Sequence, residues 1–176
     1  MTVLKIIGIL LAIMMVAAAG VWLFSLSGSY NAETLKPDGA VTGKAMIVYD
    51  PGLSGNTKNV ASLMANDLRA KGYDVVLAGL KSSDASKLSG YSILIVGSPT
   101  YGGKPSGTIN SYLEGLNLPE NITVGVYSTG GRDNNDSNQF MVDILKNSSV
   151  RVEVSEKFGS SADKVDYSNF ISQILT

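Results

Sequence analysis

Residues 52–57 read GLSGNT, and this stretch decides the fold because of what stands on either side of it. An apolar run, AMIVY at residues 45–49, precedes it, and residues with helical periodicity follow it. A strand, a glycine turn with hydroxyls and a helix N-terminus together can hold a phosphate, because the first turn of a helix has unpaired N–H groups and a partial positive charge. The stretch therefore predicts a phosphorylated ligand at the carboxyl end of the first strand of an α/β sheet.

Apolar runs and helical patterns alternate through the rest of the chain. Predicted strands cover residues 44–49, 73–78, 91–97, 122–127 and 150–154, and predicted helices cover 57–71, 106–116, 136–146 and 166–175. The polar residues 81–88 could hold a further short helix. The third strand is apolar throughout, as expected when both faces are covered, whereas the fifth alternates and indicates a half-exposed edge. The pattern predicts an α/β domain at residues 44–176 with a doubly wound, five-stranded parallel sheet.

Residues 6–26 contain no charged side chain. A helix of this length spans about 31 Å, close to the roughly 30 Å hydrocarbon core of a bilayer. We predict a transmembrane helix here, within an N-terminal segment of residues 1–26, that places the protein in the lipid bilayer. Residues 27–43, which hold Ser, Gly, Asn and the turn sequence PDG without an apolar period, are predicted to be a linker. A signal peptide cleaved near residues 17–19, AAA, is the alternative.

The charges that flank the apolar run bear on its orientation. Lys5 precedes the run and favours a cytoplasmic N-terminus, which leaves the domain outside the cytoplasm. Lys36 and Lys44 follow the run and nearly cancel this difference. The sequence therefore leans only slightly towards an extracytoplasmic domain.

Composition excludes several classes of function. The 176 residues include no His and no Cys, which removes Ser-His-Asp and Cys-His catalysis, disulfides and Cys/His zinc sites. We predict no metal site and assign no catalytic side chain. The net charge of −1 gives no electrostatic support for nucleic-acid binding.

Three loops should leave the carboxyl edge of the predicted sheet, at residues 50–57, 98–106 and 128–134. Each is rich in Gly and hydroxyl side chains, and the second carries an aromatic residue. Open α/β sheets bind their ligands past the carboxyl ends of the strands, where the strand order reverses. The three loops together predict a bound cofactor that is planar and phosphorylated.

The motifs in these loops resemble those of the flavodoxin family. SGNT at residues 54–57 looks like the end of that family's phosphate loop, GSPTYGG at 97–103 its second flavin loop, and YSTGG at 127–131 its third. The resemblance covers residues 44–176 and is to the short-chain form. It implies a flavodoxin-like fold with strand order 2-1-3-4-5 and non-covalent binding of FMN. It also implies electron transfer between redox partner proteins, which could be membrane-bound.

The resemblance further implies a role for each loop. Ser54, Asn56 and Thr57, with backbone N–H groups through Lys58, would hold the 5′-phosphate. Tyr101 would stack on the isoalloxazine ring, and the peptide around Gly102 would face flavin N5, while the third loop would line the pyrimidine edge. The predicted cofactor-binding residues are Ser54, Gly55, Asn56, Thr57, Lys58, Pro99, Thr100, Tyr101, Gly102, Gly103, Ser128, Thr129, Gly130 and Gly131.

One residue departs from the family pattern. Gly52 stands where the family usually has Ser or Thr, so one hydroxyl contact to phosphate, worth about 1.5–3 kcal/mol, is missing. The charge of Lys58 could offset this loss, or Lys58 could be a solvated helix lysine. Two other functions stay open: an FMN-dependent NAD(P)H:quinone-type reductase, and a flavodoxin-like interaction domain without cofactor.

Overall fold

The structure is a computed structural model, and it describes residues 6–16, 29–130, 136–148, 150–159 and 164–176. Residues 6–16 form a helix, α1, whose side chains are exposed. Within the described ranges, none of the helices is both long and apolar enough to cross a bilayer. The remainder of the predicted transmembrane helix, residues 17–26, lies outside the described residues.

One sheet with helices on both faces forms the domain. Its strands are β1 (Ala32–Leu35), β2 (Gly43–Tyr49), β3 (Tyr73–Gly79), β4 (Ile93–Tyr101), β5 (Lys104–Pro105), β6 (Thr123–Thr129) and β7 (Val152–Phe158). The helices are α2 (Asn56–Ala70), α3 (Gly107–Glu114), α4 (Asp136–Asn147) and α5 (Lys164–Ile174). The order across the sheet is β1-β3-β2-β4-β6-β7, with β5 paired to β4.

The five predicted strands are parallel, and their order confirms the predicted 2-1-3-4-5 arrangement. In that order β2 lies between β3 and β4, and β6 joins β4 to β7. The parallel strands define two edges of the sheet: a carboxyl edge, where they end, and an amino edge, where they begin. The strand order reverses between β2 and β4, and open α/β sheets bind their ligands in the crevice past the carboxyl ends of the strands at such a reversal.

The core has two layers because the central strands are buried on both faces. Ile47 and Ile95 pack with α2 and α5 on one face, whereas Met46 and Val96 pack with α3 and α4 on the other. This arrangement explains why the apolar runs are continuous, because alternate side chains enter different layers.

The predicted five-stranded sheet and the predicted linker both need correction. The sheet has seven strands, and one of the additional two, β1, lies within residues 27–43. β1 is antiparallel to β3, with Ala32 opposite Ala78 and Leu35 opposite Val75. Its four residues are mostly exposed and have no apolar period, so only pairing to the open edge of β3 makes them a strand.

A second correction concerns residues 81–88. They form turns instead of a helix, with the Ser82 N–H donating to Gly79 O and the Lys87 N–H donating to Asp84 O. The segment is too polar to cover the sheet as a helix would. It packs only Ala85 and Leu88 against the core.

Candidate cofactor site at the carboxyl edge

The first loop leaves the N-terminus of α2 open. Gly52 and Gly55 take left-handed backbone conformations, with φ of 63° and 71°, and so turn the chain sharply into the helix. Ser54 Oγ accepts a hydrogen bond from the Asn56 N–H at 3.3 Å. Gly55 occupies the N-cap without a side-chain cap, and the first turn of α2 contains no acidic residue. The helix dipole at this end is thus directed at the crevice with no protein anion against it.

The second loop is a tight hairpin that brings Tyr101 to the first loop. β4 runs on to Tyr101 and turns back through Gly102 and Gly103, whose φ values are 58° and 84°, into β5. The Tyr101 hydroxyl accepts a hydrogen bond from the Leu53 N–H at 3.1 Å. The side chain is still 47% exposed, so about half of it remains accessible to a ligand beside the α2 N-terminus.

This contact gives a physical reason for the departure at Gly52. A Cβ added to Gly52 would lie 2.8 Å from Pro99 Cβ and 3.2 Å from the Tyr101 hydroxyl. The first and second loops therefore approach so closely that Ser or Thr would not fit at position 52. In place of a hydroxyl at position 52, the Tyr101 hydroxyl of the second loop contacts the backbone of the first loop at the Leu53 N–H.

The third loop is tied to the start of α2. Thr129 and Thr57 share a hydrogen bond between their hydroxyls at 2.8 Å, and both residues are buried. The Tyr127 hydroxyl donates to Thr57 O at 2.8 Å. Tyr127 reaches that carbonyl by passing over Gly97, where any Cβ would overlap the tyrosine ring. Complete burial raises the pKa of Tyr127 well above its ordinary value of 10, with the nearby Tyr49 adding to the effect.

Asp50 joins the first loop to α3; the sequence indicates a strand end or a turn hydrogen bond for it and no catalytic role. Its Oδ1 accepts from the Gly52 N–H at 3.0 Å, while its Oδ2 accepts from the Ser106 and Thr108 hydroxyls at 2.7 and 2.8 Å. Ser106 is also the N-cap of α3 and accepts from the Ile109 N–H. An Asp directly after a strand and a Ser-x-Thr at a helix start are each visible in the sequence, but their meeting depends on the fold.

The structure brings most of the predicted site residues to one crevice, with some differences in what their side chains do. The described members that meet there are Ser54, Gly55, Asn56, Thr57, Pro99, Thr100, Tyr101, Thr129 and Gly130, with Gly102 and Gly103 at the hairpin tip. Gly130 lies against Thr100, since an added Cβ would be 3.1 Å from Thr100 Cβ. Gly131 lies outside the described residues.

Two predicted residues direct their side chains elsewhere. The Ser128 hydroxyl is buried without a partner among the described residues. It points to the opposite face from Tyr127 and Thr129, because successive side chains alternate along a strand. The exposed Lys58 side chain lines a cavity of about 250 Å³ together with Glu33 and Tyr49. Burial, and secondarily the Glu33 charge, raises the pKa of Tyr49. Only the backbones of Ser128 and Lys58 are therefore placed to serve the crevice.

Nothing in the described part of the chain resembles a metal centre, since no three metal-ligating side chains cluster there. The chemistry that the crevice offers is instead that of an anion site beside an aromatic face. The open N–H groups of α2 suit a phosphate, and Tyr101 with the glycine backbone of the hairpin suits a flat ring system.

Comparisons with known proteins give the fold. No protein-family model matches the chain, and no curated protein matches it. Among solved structures, the chain is similar to oxidised flavodoxin 2 from Bacillus cereus, with a TM-score of 0.61 and 24% identity over 75% of this chain and 97% of that one. It is similarly close to a short-chain flavodoxin associated with a bacterial microcompartment, with a TM-score of 0.64 and 18% identity over 76% and 97% of the two chains.

The chain also matches part of a larger protein. The rubredoxin oxygen:oxidoreductase from the anaerobe Desulfovibrio gigas aligns with a TM-score of 0.57 and 21% identity over 78% of this chain. The chain spans 35% of the length of that protein. These structures confirm the predicted flavodoxin-like fold of the short-chain form.

Proposed function

We propose that this chain binds FMN in the crevice at the carboxyl edge and carries single electrons between redox partners, held at a membrane by its apolar N-terminal segment. The observation that carries the proposal is the open N-terminus of α2 beside an exposed tyrosine face. A phosphate and a flat ring are joined in one ligand in FMN, and the crevice offers a place for each within one short stretch of surface.

The phosphate half rests on α2. The N-cap Gly55 supplies no side-chain cap, the Asn56 N–H makes only a long hydrogen bond of 3.3 Å to Ser54 Oγ, and the first turn contains no acidic residue. The hydroxyl pair of Thr57 and Thr129 adds a donor, because in a pair of hydroxyls the accepting one keeps its own proton to donate onward. Charge-assisted hydrogen bonds of this kind contribute about 1.5–3 kcal/mol each, so several of them suffice for stable binding.

The ring half rests on Tyr101 and the hairpin. FMN supplies the redox chemistry when it is bound, and the protein determines its position and surroundings. Tyr101 offers its exposed face, and the hydrogen bond from Leu53 to its hydroxyl holds that face beside the phosphate site. Gly102 and Gly103 have no side chains, so the backbone of the hairpin can approach the ring closely.

A carrier fits this edge better than a substrate-specific reductase. The β4–β5 hairpin turns within two glycines, and the first loop passes directly from β2 into α2. Such short loops provide few side chains to enclose a nicotinamide and a second substrate above the ring. A redox partner protein needs only an exposed ring edge.

The membrane part of the proposal rests on residues 6–26, which carry no charge over a length that matches the bilayer core. Holding the domain at a membrane raises its effective concentration near a membrane-bound redox partner. We place the domain on the extracytoplasmic side of the membrane, because the charges that flank the apolar run give a slight preference for that orientation.

The test uses the full chain purified in detergent, because truncation at residue 44 would remove β1 and expose the edge of β3. We expect a yellow protein that takes up one equivalent of FMN and is reduced in two separate one-electron steps. The Tyr101→Ala variant should lose affinity, since stacking on an aromatic side chain contributes about 1–3 kcal/mol per ring. Tyr30→Ala, which removes an exposed tyrosine outside the crevice, is the matched control.

Three results would count against the proposal. A protein that takes up no FMN leaves the interaction-domain alternative standing. Rapid oxidation of NAD(P)H by the purified flavoprotein without a partner protein favours the reductase. Equal FMN affinities for Tyr101→Ala and Tyr30→Ala would show that the ring binds elsewhere.

A further inference from the structure

The chain enters the domain at the same edge as the crevice. β1 is antiparallel to β3, so it begins at the carboxyl edge and runs towards the amino edge. Ahead of β1, Asn31 O accepts from the Gly79 N–H at 2.7 Å, and Ser29 O accepts from the Lys81 N–H at 2.8 Å. Two strand spacings separate β1 from β2, so Ser29 lies roughly 10 Å to the side of the first loop.

This docking shortens the connection to the apolar segment. The sequence predicts a linker of seventeen residues, but the backbone from Ser29 to Leu35 pairs with β3 and the residues that follow it. Only residues 27 and 28 stand between Ser29 and the predicted transmembrane helix. Even fully extended, a connection this short reaches about 10 Å, so the carboxyl edge cannot turn far from the bilayer.

The exposed side chains of this edge have the composition of a membrane interface. Outside α1, the described large apolar or aromatic side chains that are exposed are Tyr30, Val41, Leu53, Leu63, Tyr101 and Phe140. Four of these six lie at the carboxyl edge: Tyr30, Leu53, Tyr101 and Phe140. Amphipathic aromatic rings are enriched where membrane meets water, and Leu and Phe insert shallowly there.

Cations accompany these apolar groups. Lys58, Lys81 and Lys104 are exposed at the carboxyl edge, and none of them forms an ion pair with a described residue. Two of them lie over aromatic rings of the same edge: Lys81 Nζ is 5.7 Å from the Tyr30 ring centroid and Lys104 Nζ is 5.4 Å from that of Phe140. Lysine side chains next to exposed rings suit the anionic headgroups of a lipid surface.

From these observations we propose that the carboxyl edge rests on an anionic lipid surface, so that the cofactor crevice faces the membrane and exchanges electrons with a partner inside it. The inference rests on the proposed function, since it takes the FMN site and the membrane anchor as given. It adds the orientation, and it identifies the partner by chemistry as an integral membrane redox protein.

Probes at the two edges test the orientation, and the absence of Cys allows single labels. Leu53→Cys and Ser83→Cys place a bimane fluorophore near the carboxyl edge, and Val41→Cys and Glu120→Cys place it near the amino edge. The full chain is inserted into vesicles of phosphatidylcholine and phosphatidylglycerol that contain a nitroxide-headgroup lipid. We expect a greater loss of fluorescence at the carboxyl-edge positions. Equal loss at both edges, or greater loss at the amino edge, overturns the inference.

Two further measurements separate this inference from the proposed function. A chain that does not stay with the vesicles refutes the anchor, and FMN uptake measured on the unlabelled original chain in the same vesicles tests the cofactor site alone. A flexible Gly/Ser insertion after Gly28, with roughly 20 Å of reach, should reduce the difference between the edges without touching the fold. If that variant keeps the full difference, the short connection does not hold the edge to the bilayer.

The lysines can be tested in the same vesicles. Lys81→Gln with Lys104→Gln should lower the loss of fluorescence at Leu53→Cys when phosphatidylglycerol is present, whereas Lys71→Gln with Lys146→Gln should leave it unchanged. An unchanged loss in the first pair overturns the lipid assignment. If the Leu53→Cys fluorescence responded to an added purified acidic protein and not to phosphatidylglycerol, a protein partner would replace the lipid surface.

Discussion

Two helices, α2 and α3, begin at the same edge of the sheet, but the capping groups and charges at their N-termini differ. α3 is capped by Ser106, and the Asp50 carboxylate lies against its first turn through the hydroxyls of Ser106 and Thr108. α2 begins after Gly55, with no side-chain cap and no acid in its first turn. The protein thus places an anion of its own near one helix end and none in the first turn of the other.

The comparison explains how two helix N-termini with similar local structure can differ in whether they are open to an anionic ligand. Both helices carry the same partial positive charge at this end. At α3 that charge stabilises an anion of the protein, which also orders the first loop through the Gly52 N–H. At α2 the same charge stays available, and Tyr101 lies beside it. We therefore assign the proposed ligand site to α2, because α3 already has its anion.

The largest effect is expected when α2 is made to resemble α3. Gly55→Asp places a carboxylate at the N-cap, where two like charges about 4 Å apart repel by about 4 kcal/mol near a protein surface. We predict that FMN affinity falls by about a thousandfold, measured by fluorescence titration. Both Asp and Asn tolerate the left-handed backbone of this position, and a Cβ there meets open space. Gly55→Asn, which lacks the charge, should stay within about tenfold of the original affinity.

Removing the internal anion at α3 should instead reduce stability. Asp50→Asn weakens three hydrogen bonds to a charged acceptor, and we predict a loss of about 1.5–3 kcal/mol in the free energy of unfolding, measured by urea denaturation. Asp84→Asn is the control, because the exposed ion pair of Asp84 with Lys87 contributes about 0–1 kcal/mol. Equal losses in the two variants would contradict the role assigned to Asp50.

Two tyrosines, the buried Tyr127 and the half-buried Tyr112, allow each helix to be perturbed separately. The Tyr127 hydroxyl donates to Thr57 O at the start of α2, and the Tyr112 hydroxyl on α3 donates to Ala85 O at 2.7 Å. Tyr127→Phe and Tyr112→Phe should each cost about 1 kcal/mol of stability. Only Tyr127→Phe should also weaken FMN binding, by a few-fold in a titration at neutral pH. A similar loss of affinity in both variants would mean that α2 has no special role.

The last effect is absent at neutral pH and is a dependence of stability on alkaline pH. Burial raises the pKa values of Tyr127 and Tyr112 above 10, so the folded state keeps both protons when the unfolded chain releases them. The free energy of unfolding should thus be insensitive to these groups below pH of about 10 and fall above it, by up to about 1.4 kcal/mol per pH unit for each tyrosine. Urea denaturation across this range should show a shallower fall for either Phe variant. An unchanged slope would show that the tyrosines ionise equally in both states.

The sequence allowed the parallel sheet and most of the crevice to be predicted, because those features depend on local patterns. The apolar runs of β2 and β4 are continuous, and the glycines and hydroxyls of each loop stand directly after a strand. Features that depend on distant pairs could not be predicted. β1 has no period of its own, and Asp50 meets its α3 partners 56 and 58 residues later.

Gly52 shows the same limit at a single position. From the sequence alone, glycine at this position indicates a missing hydroxyl contact to phosphate. The structure shows instead that Gly52 approaches Pro99 and Tyr101 so closely that no side chain fits. The partner that makes glycine necessary lies almost fifty residues away, and no local pattern indicates it.

The affinity of the full chain for FMN relative to riboflavin tests the central claim most directly, because the two ligands share the ring and differ only in the phosphate. If the open N-terminus of α2 holds the phosphate, FMN should bind at least about tenfold more tightly, and Gly55→Asp should abolish that preference. Equal affinities for FMN and riboflavin in the original chain would contradict the claim.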